Sequence, residues 1–426
     1  MSLARDPEGR LATGAPNAPI LLADAVKSVG TPAYVYDLDA IRDGVRALTA
    51  AFGKERHHIA YAVKANSAAE IVRTIARAGA GADVVSGAEL GLSLACGIAA
   101  ERIVYSGVAK RDDELDRAIS SGTDGIGAIQ VESVEEIARI EARAAFMGWK
   151  ARVSLRINPG VELSDLSTHA HIATGHDEAK FGVPISDVPR ALEALSRAPH
   201  LVLVGLTAHG GSQFTTTAPY VASAKALFTL AREVLTTHKL DYVDAGGGFG
   251  IDYGDGCEAT PADFVRAALA EKKAHGLDAL ALYVEPGRAL VGAHGVLVGR
   301  VVQQKVVGDR RWVMLDTGMN DLMRPALYGA KHRIELAERA PDGDRRWRVV
   351  GPVCESSDDF GDHPLGERPE GLVAIRDAGA YGYSMASRYN GRALPAEVFV
   401  SEGKVVAARA REDDEAWIKD RLAAGR

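Results

Sequence analysis

Hydrophobic residues in this chain gather into eight short runs, each stopped by a polar or glycine-rich cluster. They cover residues 58–63, 82–85, 102–105, 127–130, 152–157, 201–208, 242–245 and 280–284. Runs of this length, rich in Val, Ile, Leu and Ala, suit parallel strands buried on both faces. Helix-patterned stretches of about ten to twenty residues separate most of them, which is the spacing of βα units. Eight such units predict an α/β fold, a closed (β/α)8 TIM-like barrel. Chemistry in that fold gathers just past the C-terminal ends of the strands. Those positions hold Lys64, Ser86, Ser106-Gly107, Glu132, Asn158, His209, residues 246–250 and Glu285.

The helices between the runs carry their own signals. Ser67-Ala-Ala-Glu70 has the form of a capping box ahead of an apolar face at Ile71, Val72 and Ile75. Ser133, Asp187 and Pro261 open three later helices. One connection is unusually long: about 26 residues separate Asn158 from Pro184 without a clear element, carrying His169, His171, Thr174-Gly175 and Lys180-Phe181-Gly182.

After Gly292 the pattern changes to strands at 296–307, 312–315, 345–350, 372–375 and 398–408, with turns at Gly308-Asp309 and Glu402-Gly403. A helix follows at 412–424. The expected organisation is a barrel over 36–292 and a β-sandwich or barrel-like domain from 1–35 and 293–426, which completes the active site. Residues 1–31 are either a tail or a strand lent to the second domain.

Composition narrows the function. A net charge of -7 argues against a nucleic-acid surface. No stretch is apolar enough to span a bilayer, and the polar start of the chain does not resemble a signal peptide. The three cysteines, Cys96, Cys257 and Cys354, show neither zinc-ligand spacing nor a disulfide pattern, so no metal is expected and a reducing cytoplasm is.

Several rim residues carry chemistry. Lys64, in Tyr61-Ala-Val-Lys-Ala-Asn66, is costly to desolvate unless used or paired, and desolvation makes an amine nucleophilic. His209-Gly-Gly-Ser-Gln213 leaves room for a flat ligand against the imidazole, with Ser212 free to bond a phosphate. In Gly246-Gly-Gly-Phe-Gly250, backbone N–H groups can converge on an anion, at the usual phosphate site of this barrel. Glu285-Pro-Gly-Arg288 offers a carboxylate for a cationic ring nitrogen and an arginine clamp. Each has a plain alternative: a strand-end lysine, a histidine at a tight turn, a flexible glycine turn, and a structural Glu–Arg pair. In the second domain, Cys354-Glu355-Ser-Ser-Asp358 is too acidic for a core strand and suits a rim.

Taken in order, these motifs resemble the fold-type III pyridoxal-phosphate (PLP) decarboxylases over most of the chain. Asp83-Val-Val-Ser-Gly-Ala-Glu89, Leu155-Arg-Ile-Asn-Pro159, Lys180-Phe-Gly182 and Tyr381-Gly-Tyr-Ser-Met385 join those above. The resemblance implies that Lys64 holds PLP covalently, Glu285 pairs with its ring nitrogen and His209 stacks on its face. Gly248, Ser212, Gly287, Arg288 and Tyr381 would hold the phosphate and its surroundings, and Asp83 and Arg156 would support the inner rim. Cys354 would be the general acid, and Cys354 and Glu355 would act across the interface of a homodimer with shared sites.

The distal pocket separates the branches of the family. Arg324, in Met323-Arg-Pro-Ala-Leu-Tyr328, resembles the branch that acts on meso-2,6-diaminopimelate, with Arg288, Tyr328, Tyr381 and Glu355 also against the amino-acid substrate. The plain alternative for Arg324 is a surface arginine before a proline turn. The expected reaction yields L-lysine and CO2, the last step of lysine synthesis. Alternatives are a relative acting on D-lysine, D-ornithine or carboxynorspermidine, a racemase-like enzyme, and a non-catalytic PLP-binding regulator. One departure is Ala88, where the family has glycine; its methyl group is expected near the cofactor edge.

Overall fold

The computed structural model describes residues 3–160 and 180–423. The chain divides into two compact units. One is formed by Gly44–Ile251 and Cys257–Ala289, the other by Met1–Asp43, Asp252–Gly256 and Leu290–Arg426.

The first unit is a closed barrel of eight parallel strands: β1 (His57–Ala62), β2 (Gly81–Val84), β3 (Ile103–Tyr105), β4 (Ala128–Val131), β5 (Ala151–Asn158), β6 (Leu201–Ala208), β7 (Tyr242–Asp244) and β8 (Ala281–Val284). Each lies within a residue or so of the run that predicts it. Neighbours in sequence pair in parallel, and β8 closes on β1 through Leu282 opposite His57. Val183–Pro184 adds a short parallel strand beside the end of β5. Inside, Ala60, Val104, Ala128 and Ala281 are small because Tyr242 and Tyr283 stack among them, ring centroids 3.9 Å apart. Gly205 must lack a side chain, since a Cβ there would sit 2.5 Å from the Tyr242 ring.

Two helix signals behave as expected: the Ser133 hydroxyl accepts from the Glu136 N–H at 3.2 Å, and Thr260 caps the helix whose first residue is Pro261. Two differ. The helix after β1 begins at Ala69 rather than behind Ser67, and the Asn66 carboxamide instead accepts from the Ala68 N–H at 3.0 Å. This leaves Glu70 inside the first turn, pairing with Arg73 at 2.5 Å, and no capping box forms. Asp187 itself has a helical backbone, so its carboxylate does not cap Val188–Ser196 but reaches Arg190 at 3.2 Å.

The second unit is β-rich. Leu3 onward forms a three-stranded antiparallel sheet (Ala4–Arg5, Leu11–Ala15, Ala18–Leu21). Ala33–Asp37, which reaches into the segment expected to open the barrel at residue 36, is instead a strand of a mixed sheet. It pairs antiparallel with Gly295–Val307 and parallel with Ala396–Ser401. Arg310–Leu315, Arg346–Val350 and Asp359–Pro364 extend that sheet on one side and Lys404–Arg409 on the other. Leu11, Leu22, Val26, Val35, Val296, Val298, Leu372, Val398 and Val400 form its core. The last helix, Asp414–Leu422, buries none of its residues. Among the described residues, no helix is long and apolar enough to cross a membrane.

Candidate active site

The C-terminal rim of the barrel gathers a polar network out of strands that are otherwise apolar. Lys64 lies in the single helical turn Val63–Ala65 after β1, its side chain about one-third exposed. It is paired rather than desolvated: Nζ donates to Asp83 Oδ2 at 2.6 Å. Asp83, at the end of β2, is fully buried, and its other oxygen accepts from the Ser106 hydroxyl past β3. The pairing fixes the amine at the mouth of the barrel.

His209 follows β6. Its Nδ1 accepts from the Gly247 N–H at 3.2 Å and stands 4.0 Å from Glu285 Oε2. An N–H pointing at Nδ1 requires that nitrogen to be unprotonated. Burial, with Arg156 and Lys64 nearby, holds the imidazole well below its ordinary range, so the ring is neutral.

Glu285 follows β8 and is almost wholly buried. Gln130, from β4, donates to its Oε1 at 2.6 Å. Burial, and then the carboxyls of Asp244 and Asp83, push its pKa well above the usual carboxylate range. Arg288 is buried and donates to the Ser212 hydroxyl at 3.0 Å. The glycine loop after β7 packs too tightly for side chains. A Cβ at Gly247 would lie 2.0 Å from the Glu285 carbonyl, and one at Gly248, with φ +93°, 2.3 Å from the Gly211 carbonyl. Gly287 is likewise confined, 3.0 Å from the methyl groups of Ala62 and Ala65.

Arg156, in β5, donates to Glu132 at 2.8 Å and lies over the Phe181 ring at 5.0 Å. Glu132 also accepts from the N–H groups of Gly107 (2.7 Å) and Gly182 (2.9 Å). This carboxylate therefore ties the end of the long connection to the rim. His169, His171 and Thr174-Gly175 lie outside the described residues. Ser86 caps its helix by accepting from the Glu89 N–H, and Ala88 is exposed.

The remaining predicted residues belong to the β-rich unit. Arg324 is not a surface arginine: it is 5 % exposed at the start of the helix Arg324–Tyr328. Its Nη1 donates to His332 Nε2 at 2.8 Å, and its guanidinium lies 4.6 Å from the centre of the Tyr253 ring. His332 in turn donates through Nδ1 to the Arg376 carbonyl at 2.8 Å, which makes Nε2 the acceptor. Tyr328 ends the helix half-buried, before Gly329 in the left-handed conformation. Cys354 and Glu355 are exposed on a turn organised by buried Asp358, which accepts from the N–H groups of Met319 (2.6 Å) and Val353 (2.7 Å). Tyr381 is half-buried at φ +56°, a conformation few non-glycine residues adopt.

Sequence reasoning gave no role to Gln130 or Asp244. Both lie inside strands rather than past them. The available signal was one polar residue in an apolar run, Ala-Ile-Gln-Val and Tyr-Val-Asp, where desolvating a side chain requires a compensating bond.

Comparison with known proteins gives consistent findings. The family model "Pyridoxal-dependent decarboxylase, pyridoxal binding domain" matches residues 38–292. A diaminopimelate decarboxylase of Zymomonas mobilis is 38% identical over 411 residues, covering 94% of this chain and 95% of its own. That of Neisseria meningitidis is 39% identical, covering 93% and 96%. Among solved structures, diaminopimelate decarboxylase from Helicobacter pylori complexed with L-lysine superposes with a TM-score of 0.86 at 34% identity, covering 94% of this chain and 98% of its own.

Proposed function

Because this chain belongs to the pyridoxal-dependent decarboxylase family, we propose that it uses pyridoxal 5′-phosphate to convert meso-2,6-diaminopimelate to L-lysine and CO2. The carrying observation is the rim geometry: an amine, Lys64, held 2.6 Å from a buried carboxylate, on the same barrel end as the buried acid Glu285 and the neutral ring of His209. The donor set fits the cofactor. Lys64 would take its aldehyde, and Glu285 its ring nitrogen. His209 would take a ring face. Ser212, Arg288, Tyr381 and the close-packed glycines Gly248 and Gly287 would take its phosphate, with Asp83 and Arg156 holding the rim. When bound, the cofactor supplies an electron-accepting ring for the pair left as the C–C bond to the carboxylate breaks.

The protein's own residues orient the substrate and move protons. Arg324 binds the distal carboxylate; His332 and Tyr253 hold its guanidinium without adding negative charge. Glu355 takes the distal ammonium, with Tyr328 and Tyr381 beside the substrate. Cys354 donates a proton to the carbon that lost CO2, which in the substrate is the D-configured centre. The roles of these β-unit residues rest on their motifs. Their exposure on the turn suits action in a homodimer, each turn serving the partner's site, and the enzyme would work in the cytoplasm.

The test is CO2 release from meso-diaminopimelate against D-lysine, D-ornithine and carboxynorspermidine. A kcat/KM highest for diaminopimelate supports the reading. Equal or faster release from D-lysine would overturn the substrate and leave the family membership in place.

A further inference from the structure

We infer that Asp244 and Glu285 share a single proton at the end of the barrel, and that Asp244 is the positioning residue that keeps this proton on Glu285 until a ring nitrogen receives it. Asp244 is the last residue of β7 and is wholly buried. Its Oδ1 accepts from the Gly246 N–H at 2.9 Å. Its Oδ2 meets no donor among the described residues, yet the carboxyl lies within hydrogen-bonding reach of Glu285. Two ionised carboxylates are both acceptors, so this contact is a bond only when one of them is protonated. The backbone holds the two groups together: the Glu285 N–H donates to the Gly246 carbonyl at 2.9 Å, and Gly246 donates to Asp244.

The surroundings leave the pair short of positive charge. Facing it are Asp83, Lys64, Arg156, His209, Tyr220, Tyr242 and Tyr283. Lys64 already holds Asp83, Arg156 holds Glu132, and His209 is neutral. Two negative charges in this interior would be costly, whereas one shared proton removes one of them. Consistently, burial pushes Asp244 up to about 7 and holds Glu285 well above the usual carboxylate range, with Asp244 the largest charge raising it. The contact between the two carboxyls therefore requires one proton, and the Asp244 carboxylate favours it on Glu285. Resting on the cofactor reading above, this proton would pass from the Glu285 oxygen to the lone pair of the ring nitrogen, leaving a carboxylate paired with the new N–H. Asp244 favours the protonated form of Glu285 beforehand.

Infrared difference spectra of the cofactor-free full chain at pH 8 test this. The expected result is a protonated-carboxyl band in wild type that is lost in both Glu285→Gln and Asp244→Asn, because either amide donates to the remaining carboxylate. A band that survives in Asp244→Asn, or is absent from wild type, overturns the inference. Should a variant fail to fold, [13C]glutamate labelling of wild type decides: a band that moves supports the pair, and none that moves overturns it. Adding pyridoxal 5′-phosphate should discharge the band; binding with the band intact overturns the transfer. Failure of the cofactor to bind would instead overturn the proposed function, with the shared proton still decided by the first spectra.

Discussion

The barrel rim and the Cys354–Glu355 turn of the β-rich unit present their side chains in opposite ways. At the barrel rim, Lys64, Arg156, His209 and Glu285 each meet a partner from another βα unit and are fixed before any ligand arrives. In the β unit, Cys354 and Glu355 stand exposed on a turn whose geometry is set by a buried neighbour, Asp358. Preorganisation therefore marks the barrel rim, as it does the buried Arg324, and reach into solvent marks the Cys354–Glu355 turn. A group that must hold a cofactor benefits from rigidity. A group that serves a second subunit must be presented at the surface.

The largest effect that sharpens this contrast is expected at Lys64. Lys64→Ala should abolish turnover and the cofactor's protein-bound absorption together, as removal of a covalent anchor does. Cys354→Ala should lower kcat by about 10²–10⁴-fold, the usual contribution of a positioned proton donor, with cofactor absorption unchanged. Mixing the two inactive variants then tests the shared dimer: random exchange of subunits should restore about one quarter of wild-type activity, since half the dimers gain one intact site. No restoration would place Cys354 in its own subunit's site.

Arg324→Ala comes next. It removes a buried guanidinium from the proposed distal pocket and should weaken transition-state binding of diaminopimelate by about 2–5 kcal/mol, read as kcat/KM with cofactor content constant. Lys in its place should not recover the loss, because a bidentate carboxylate contact needs the guanidinium fork.

The smallest effect lies at the opposite end of the barrel, where conserving stability rather than chemistry is the expectation for this fold. His58, in β1, is 6 % exposed, bonds the Arg102 carbonyl at 3.1 Å, and is lowered by burial from 6.5 to about 4. The unfolded chain therefore binds a proton at His58 between about pH 6.5 and pH 4 that the folded chain does not. The stability present above pH 6.5 is lost as pH falls through this window, by about 3 kcal/mol. Urea unfolding from pH 7 to 4 should show a smaller acid loss in His58→Gln. An equal loss would move the effect to another group.

The barrel was legible because a parallel strand buried on both faces writes itself locally as an apolar run. That is why 201–208 matches β6 to the residue. The polar positions just past those runs could be picked out for the same reason. Asp244 and Gln130 were not, because a polar residue within an apolar strand looks like a flaw until its partner across the barrel is known. The Ser67–Glu70 capping box misled because Asn66 turned the chain first and the helix began later.

By itself the sequence determined the eight-fold βα repeat, the identity of Lys64, His209, Glu285 and Arg324 as chemical groups, and the β-rich character of the remainder. Period and composition are local properties, and they survive without knowledge of the fold. Tertiary structure alone decided that Ala33–Asp37 lies between strands beginning at Gly295 and Ala396, that Arg324 is buried against Tyr253 and His332, and that Asp244 faces Glu285. Each of these depends on segments far apart in sequence. Their pairing is set by the burial and charge compensation available only once the chain has closed.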